Sequence, residues 1–212
     1  MVTLKMAIIF LMEQIRTPFS LIWTIMSPTV LFFFLHFNEI ELHYGDTAWL
    51  GKQISWFVGY ISFSVVLFNY CLYLVGRRES GFIATFVHNM DGRLLFIRSQ
   101  LIASLIMSIL YVFFFILVVL TGFQASPDYQ IIMIILKSIY INAFMMVSLT
   151  FMASFRVTFQ TASTIYSVLI TVCMVSGIVS LKYNEGIVYW INQVNPIAIY
   201  STILQSDQEL SL

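Results

Sequence analysis

Long apolar runs separated by short polar interruptions make up most of the chain. Runs at about 21–37, 54–75, 97–120, 131–153 and 162–180 each reach the length a helix needs to cross roughly 30 Å of hydrocarbon, so five spans are expected. The first of these is the shortest and carries Pro28, where a kink is expected. Ahead of it, residues 1–19 place Leu4, Ile8, Leu11, Met12 and Ile15 on one helical face, with Lys5, Glu13 and Arg16 off that face. This predicts an amphipathic helix lying in the cytoplasmic interface, with Pro18 marking the turn inward. Beyond the fifth span, residues 181–205 are broken by Asn192, Gln193, Asn195 and Pro196. They predict a re-entrant or surface helical segment on the outer side, its backbone covered by protein. The expected fold is all-α, a polytopic membrane helix bundle in which 1–212 forms a single transmembrane domain.

The longest polar interruption runs from Arg77 to Gln100 and holds four of the ten Lys and Arg residues, Arg77, Arg78, Arg93 and Arg98. Within it Phe82, Ile83, Phe86 and Val87 recur at helical spacing, followed by Leu94, Leu95 and Phe96. A loop made only for solvation has no use for such a stripe, so a short amphipathic helix is expected over 77–96. Two occupants fit its apolar face: a protein partner at the cytoplasmic surface, or the lipid headgroups.

Composition agrees with this pattern. Sixty per cent hydrophobic residues, 9% charged residues and a mean hydropathy of +0.92 place the chain in the membrane class. A net charge of zero gives no electrostatic case for nucleic acid. With the N-terminus inside, Lys5, Arg16, Arg77, Arg78, Arg93, Arg98 and Arg156 are cytoplasmic, against Lys52 and Lys182 outside, which satisfies the positive-inside rule. Trp49, Trp56 and Trp190 then fall near the outer boundary, as an aromatic belt would. Cys71 and Cys173 sit in separate apolar runs and read as ordinary buried thiols.

Catalytic patterns are not found. The chain has no G-x-x-x-x-G-K-[ST] phosphate loop and no G-x-S-x-G elbow, and His36, His43 and His88 lack metal-ligand spacing. No catalytic or metal residue and no cofactor is therefore expected in this chain. Three polar residues inside spans stand out because burying them in lipid is costly. Lys137 either lines a substrate path or snorkels outward; Asn69 and Asn142 either line that path or hydrogen-bond between helices.

The order of parts, together with Arg78-Glu79-x-Gly81 and Asn195-Pro196, resembles the permease subunits of type-2 ABC exporters. The resemblance implies that residues 77–96 form a coupling helix on a separate ATPase, with Arg77, Arg78, Glu79, Gly81, Phe82, Phe86 and Val87 at the joint. It implies a second permease copy or paralogue, ATP and Mg bound in the partner ATPase, and a bacterial cytoplasmic membrane with the N-terminus inside. The substrate would be a drug, peptide or lipid-type molecule passing between two permeases. Phe82 stands where the family often has threonine, and Asp91-Gly92 where it often has proline. The family's pattern of six spans leads us to expect one more beyond those counted here. An alternative function is a non-transporting membrane sensor or immunity protein that binds a peptide at its outer face. It would work without an ATPase. A lipid enzyme would need convergent polar residues in a pocket.

Overall fold

The computed structural model describes the backbone of residues 2–16, 18–82, 89–182 and 185–206, and the side chains within them except 18–23, 153–154, 181–182 and 187–188. Every regular element among these is helical. In chain order, apart from short 3-10 turns at Phe37–Glu39 and Thr150–Ser154, they are α1 (Val2–Ile15), α2 (Pro18–Leu35), α3 (Thr47–Ser64), a π-helical segment (Val65–Leu72), α4 (Tyr73–Glu79) and α5 (Met90–Gly122). Then follow α6 (Tyr129–Leu149), α7 (Phe159–Lys182), α8 (Gly186–Gln193) and α9 (Pro196–Gln205).

Four of the described helices are long and apolar enough to cross a membrane: Thr47–Glu79, Met90–Gly122, Tyr129–Met152 and Phe159–Ser180. They contain the second to fifth expected spans, and a multi-pass membrane protein follows from their length and composition. The first expected span, 21–37, falls in α2, which runs through Pro28. Its described apolar stretch, Thr24–Leu35, is shorter than the other four.

The helix 47–79 is the centre of the bundle. In its most apolar window 72% is buried, against 28% for α6 and for α7. It begins at a proper cap: the Asp46 carboxylate accepts from the Trp49 N–H at 3.0 Å, and the His43 ring lies 3.2 Å from its other oxygen. These contacts hold the Asp46 pKa below its ordinary value, the Trp49 amide being the larger cause. A lowered carboxylate pKa means the cap is present at neutral pH and is lost as pH falls through the folded-state value. The Trp49 amide resonance is therefore expected to move as the sample is acidified below the carboxylate range, and Asp46→Asn should abolish that movement. Around this end Phe32 is fully buried and meets Phe57, Phe115 and Phe123 at 5.0, 5.8 and 6.0 Å between ring centres. Edge-on aromatic packing of this kind ties α2, α3 and α5 together.

Beyond α7 the chain folds back on itself. α8 returns alongside α7, and the turn into α9 is fixed by Asn195, whose side chain accepts from the Ile197 N–H at 2.9 Å. The same amide donates to the Cys173 carbonyl at 2.7 Å and to Ser176 Oγ at 3.1 Å. Pro196 follows at the first helical position, where its missing N–H costs nothing. The tip of this hairpin lies about 9–14 Å along α7 from its end, at 1.5 Å per residue. α9 then climbs antiparallel to α3, from Ile197 opposite Gly59 to Gln205, which donates to the Lys52 carbonyl at 3.0 Å. The hairpin thus enters and leaves at one end of the bundle, with Ile197, Tyr200 and Leu204 buried.

Gly59 is what lets α9 come this close. A Cβ there would lie 3.1 Å from the Ile197 carbonyl oxygen and 3.3 Å from Tyr200 Cβ. Neither neighbour is a flexible side-chain tip. Gly59→Val is expected to cost about 1–3 kcal/mol through overpacking. It should also make the 196–205 segment protease-sensitive in detergent, while leaving α1 and α5 protected.

Candidate functional site

A charged corner lies where α4 ends. Residues 77–96, expected as one helix, are divided. Arg77, Arg78 and Glu79 are the last turn of α4, and Leu94, Leu95 and Phe96 already belong to α5. The break is at Ser80-Gly81. Gly81 has φ +74°, a left-handed conformation that ends a helix at little cost to glycine and more to other residues. Its N–H donates to the Arg78 carbonyl at 3.1 Å. The apolar stripe at Ile83, Phe86 and Val87 lies outside the described residues.

Each charged residue of the corner is tied to a different part of the chain. Arg77 donates to both carboxylate oxygens of Glu13 on α1, and Tyr73 donates to the same carboxylate at 2.7 Å. The Arg77 guanidinium also lies over the Tyr73 and Phe82 rings, at 4.9 and 5.1 Å. Arg78 donates to the Phe155 and Val157 carbonyls, in the extended stretch between α6 and α7. The Glu79 carboxylate accepts from the Phe159 N–H, the first amide of α7. A carboxylate is favoured there by the unpaired amides and the helix dipole. The sequence Arg-Arg-Glu therefore clamps α1, the 155–157 loop and α7 to the end of the central helix. Phe82 adds apolar contact, its ring 5.9 Å from Phe96 of α5.

The N-terminal helix packs with an unexpected face. Of the face expected to be apolar, Leu4, Ile8, Met12 and Ile15 are exposed and Leu11 is half-buried against the core, while Ala7 and Phe10 are buried. Phe10 meets Phe96 and Tyr73 at 5.5 and 5.7 Å. α1 is thus apolar on two sides, one for the bundle and one for the surroundings.

The three span residues singled out earlier occupy different settings. Asn142 is fully buried and joins four helices. Its amide donates to Ser62 Oγ on α3 at 3.2 Å and to Ser108 Oγ on α5 at 2.5 Å, and its oxygen accepts from the Tyr200 hydroxyl of α9 at 2.6 Å. Lys137 reaches the end of α9, with Nζ 3.4 and 3.5 Å from the Ile203 and Leu204 carbonyls and 3.3 Å from Ser206 Oγ. A cation at a helix C-terminus satisfies carbonyls that the helix leaves open. Asn69 is in the π-helical segment. Its backbone carbonyl accepts from Gln100 Nε2 at 2.8 Å and Ser104 Oγ at 3.1 Å, both on α5. Its side-chain amide points to the Tyr111 hydroxyl at 3.5 Å.

No family model matches the chain, and no solved structure matches it. What the residues can do must therefore be judged from their geometry.

Sequence reading missed several partners of these groups. Glu13 looked like one polar residue on an interface helix, and Tyr200 like part of a tail. The π-helix has no simple sequence signature; only the polar residues Asn69, Gln100 and Ser104 in apolar surroundings mark it. Among the described residues no three His, Cys, Asp or Glu side chains converge on a metal site.

Proposed function

We propose that the chain is the membrane-spanning permease subunit of an ATP-driven exporter, working with separate ATPase subunits that hold ATP and Mg, and with a second permease copy or paralogue. The observation that carries this reading is the corner at Arg77–Phe82. The helices 47–79 and 90–122 each have 33 residues. That makes them about 50 Å long, well beyond a hydrocarbon core of roughly 30 Å. They meet at the 80–89 connection, so the corner stands clear of the apolar core. α1, the 155–157 loop and α7 are all fastened to it. A partner that displaced residues 80–89 would move three helices and the central one together.

In this reading the N-terminus and the corner are cytoplasmic, in a bacterial inner membrane, and residues 82–88 carry the docking knobs. α7 supports the pairing of two permeases: its exposed side displays Thr161, Thr164, Ser167 and Thr171 among apolar residues. These hydroxyls bond within α7 and its first turn, and small residues on an exposed face of a span let a second helix approach closely. Arg77, Arg78 and Glu79 act as positioning residues that transmit movement, and Phe86 and Val87 as contacts with the ATPase.

The test separates docking from folding. Phe86→Asp and Val87→Asp are expected to prevent co-purification of the ATPase while leaving the melting temperature of the isolated chain unchanged. If the ATPase stays bound to both variants, the docking assignment is wrong.

A further inference from the structure

A cavity of about 320 Å³ opens beside the π-helical segment, on the half of the bundle that carries the corner. That is within the range of small-molecule sites, which begins near about 300 Å³. Its described walls include Glu13 of α1, Phe68 and Asn69 of the π segment, Tyr73 of α4, Tyr111 of α5 and Phe159 of α7.

The π turn makes this cavity. An extra residue per turn widens the helix and frees a backbone carbonyl, and such segments recur at functional sites. Here the freed carbonyl of Asn69 is taken by Gln100 and Ser104 of α5. The Asn69 side chain is left to the cavity, with only a long 3.5 Å contact to the Tyr111 hydroxyl. Tyr111 is 2% exposed. Among the described residues its hydroxyl hydrogen has no acceptor, and Asn69 Oδ1 has no donor. Both atoms therefore keep hydrogen-bonding capacity that a guest in the cavity could use.

The wall chemistry selects the occupant. Four aromatic residues and the carboxylate of Glu13 border the space, and among the described walls Glu13 is the one formal charge. A carboxylate offers about four acceptor positions. Arg77 and Tyr73 take three of them, which leaves room for one more donor or a nearby cation. The Arg77 guanidinium is turned to Glu13 and to the Tyr73 and Phe82 rings, and is not part of the wall. Aromatic faces with a carboxylate and an amide oxygen are the recognition chemistry of an organic ammonium. We infer that this cavity binds a hydrophobic organic monocation, an amphiphilic amine or quaternary ammonium, with its charged head among Glu13, Asn69 and the rings.

Within the permease reading this would be a station on the substrate path, but the binding itself needs no ATPase. The test is equilibrium dialysis of tetrapentylammonium against the full chain in phosphatidylcholine nanodiscs, with empty nanodiscs as the blank. Saturable uptake near one ion per chain is expected. Asn69→Ala and Tyr111→Phe should each weaken it about fivefold or more, and Glu13→Gln, which keeps the shape and removes the charge, about tenfold. Tyr189→Ala on exposed α8 should leave it unchanged. Uptake equal to that of empty nanodiscs, or uptake indifferent to Asn69→Ala and Tyr111→Phe, would overturn the site. Uptake without any co-purifying ATPase would leave the site standing and remove the exporter reading. Absent uptake with a bound ATPase would do the reverse.

Discussion

Asn142→Leu is expected to destabilise the chain by about 2–3 kcal/mol. The substitution leaves Ser62 and Ser108 without their shared partner and the Tyr200 hydroxyl with only the Ser138 carbonyl at 2.9 Å, in a place water does not reach: the four side chains are 0 to 2% exposed. Interhelical hydrogen bonds in membranes are individually modest, about 0.6 kcal/mol on average, so the size rests on losing three at one point. Tyr200→Phe removes one of them and should cost about 1 kcal/mol. The double variant should fall short of the sum, because both changes act on the same bond. Unfolding in mixed micelles of increasing denaturing detergent measures all three. Asn142 lining an open path predicts a different result, with stability unchanged and transport altered.

The second large effect is expected at the corner. Arg78→Ala combined with Glu79→Gln removes the donors to the Phe155 and Val157 carbonyls and weakens the acceptor at the start of α7. These groups are partly exposed, so the global melting temperature should change by only a few degrees. Local opening is another matter. Amide exchange over 155–162 should speed up about tenfold, a change of about 1.4 kcal/mol in the local opening equilibrium. If the chain works as the proposed exporter permease, ATP hydrolysis should continue while its stimulation by substrate is lost. Unchanged exchange over 155–162 would show that the clamp does not hold α7.

The broad architecture was legible because its signals are strong and local. Twenty or so apolar residues in a row read as a span, and four of the five expected runs lie inside long apolar helices. Asn195-Pro196 is a cap followed by a first-turn proline, and it starts α9. The ends of the helix expected over 77–96 were misplaced because periodicity alone ignored Gly81, while its middle, 83–88, lies outside the described residues. A glycine after Arg-Arg-Glu-Ser is a stop signal, and the residues before it finish the preceding helix. The partners at the sites could not be read from one sequence. Glu13 meets Arg77 and Asn142 meets Tyr200 across separations of 64 and 58 residues. No periodicity encodes such pairs. Lys137 shows the same limit: its contact with the end of a helix 66 residues away has no local signal.

Our central claim is that the 77–89 corner is where an ATPase drives this chain. Affinity purification of the tagged chain from its native membrane, followed by an assay of ATP hydrolysis, tests it most directly. The account predicts a co-purifying ATPase that is lost when Phe86 and Val87 become aspartate. A chain that emerges alone, without hydrolysis and with its biological activity intact, would contradict it and favour a membrane sensor or immunity role.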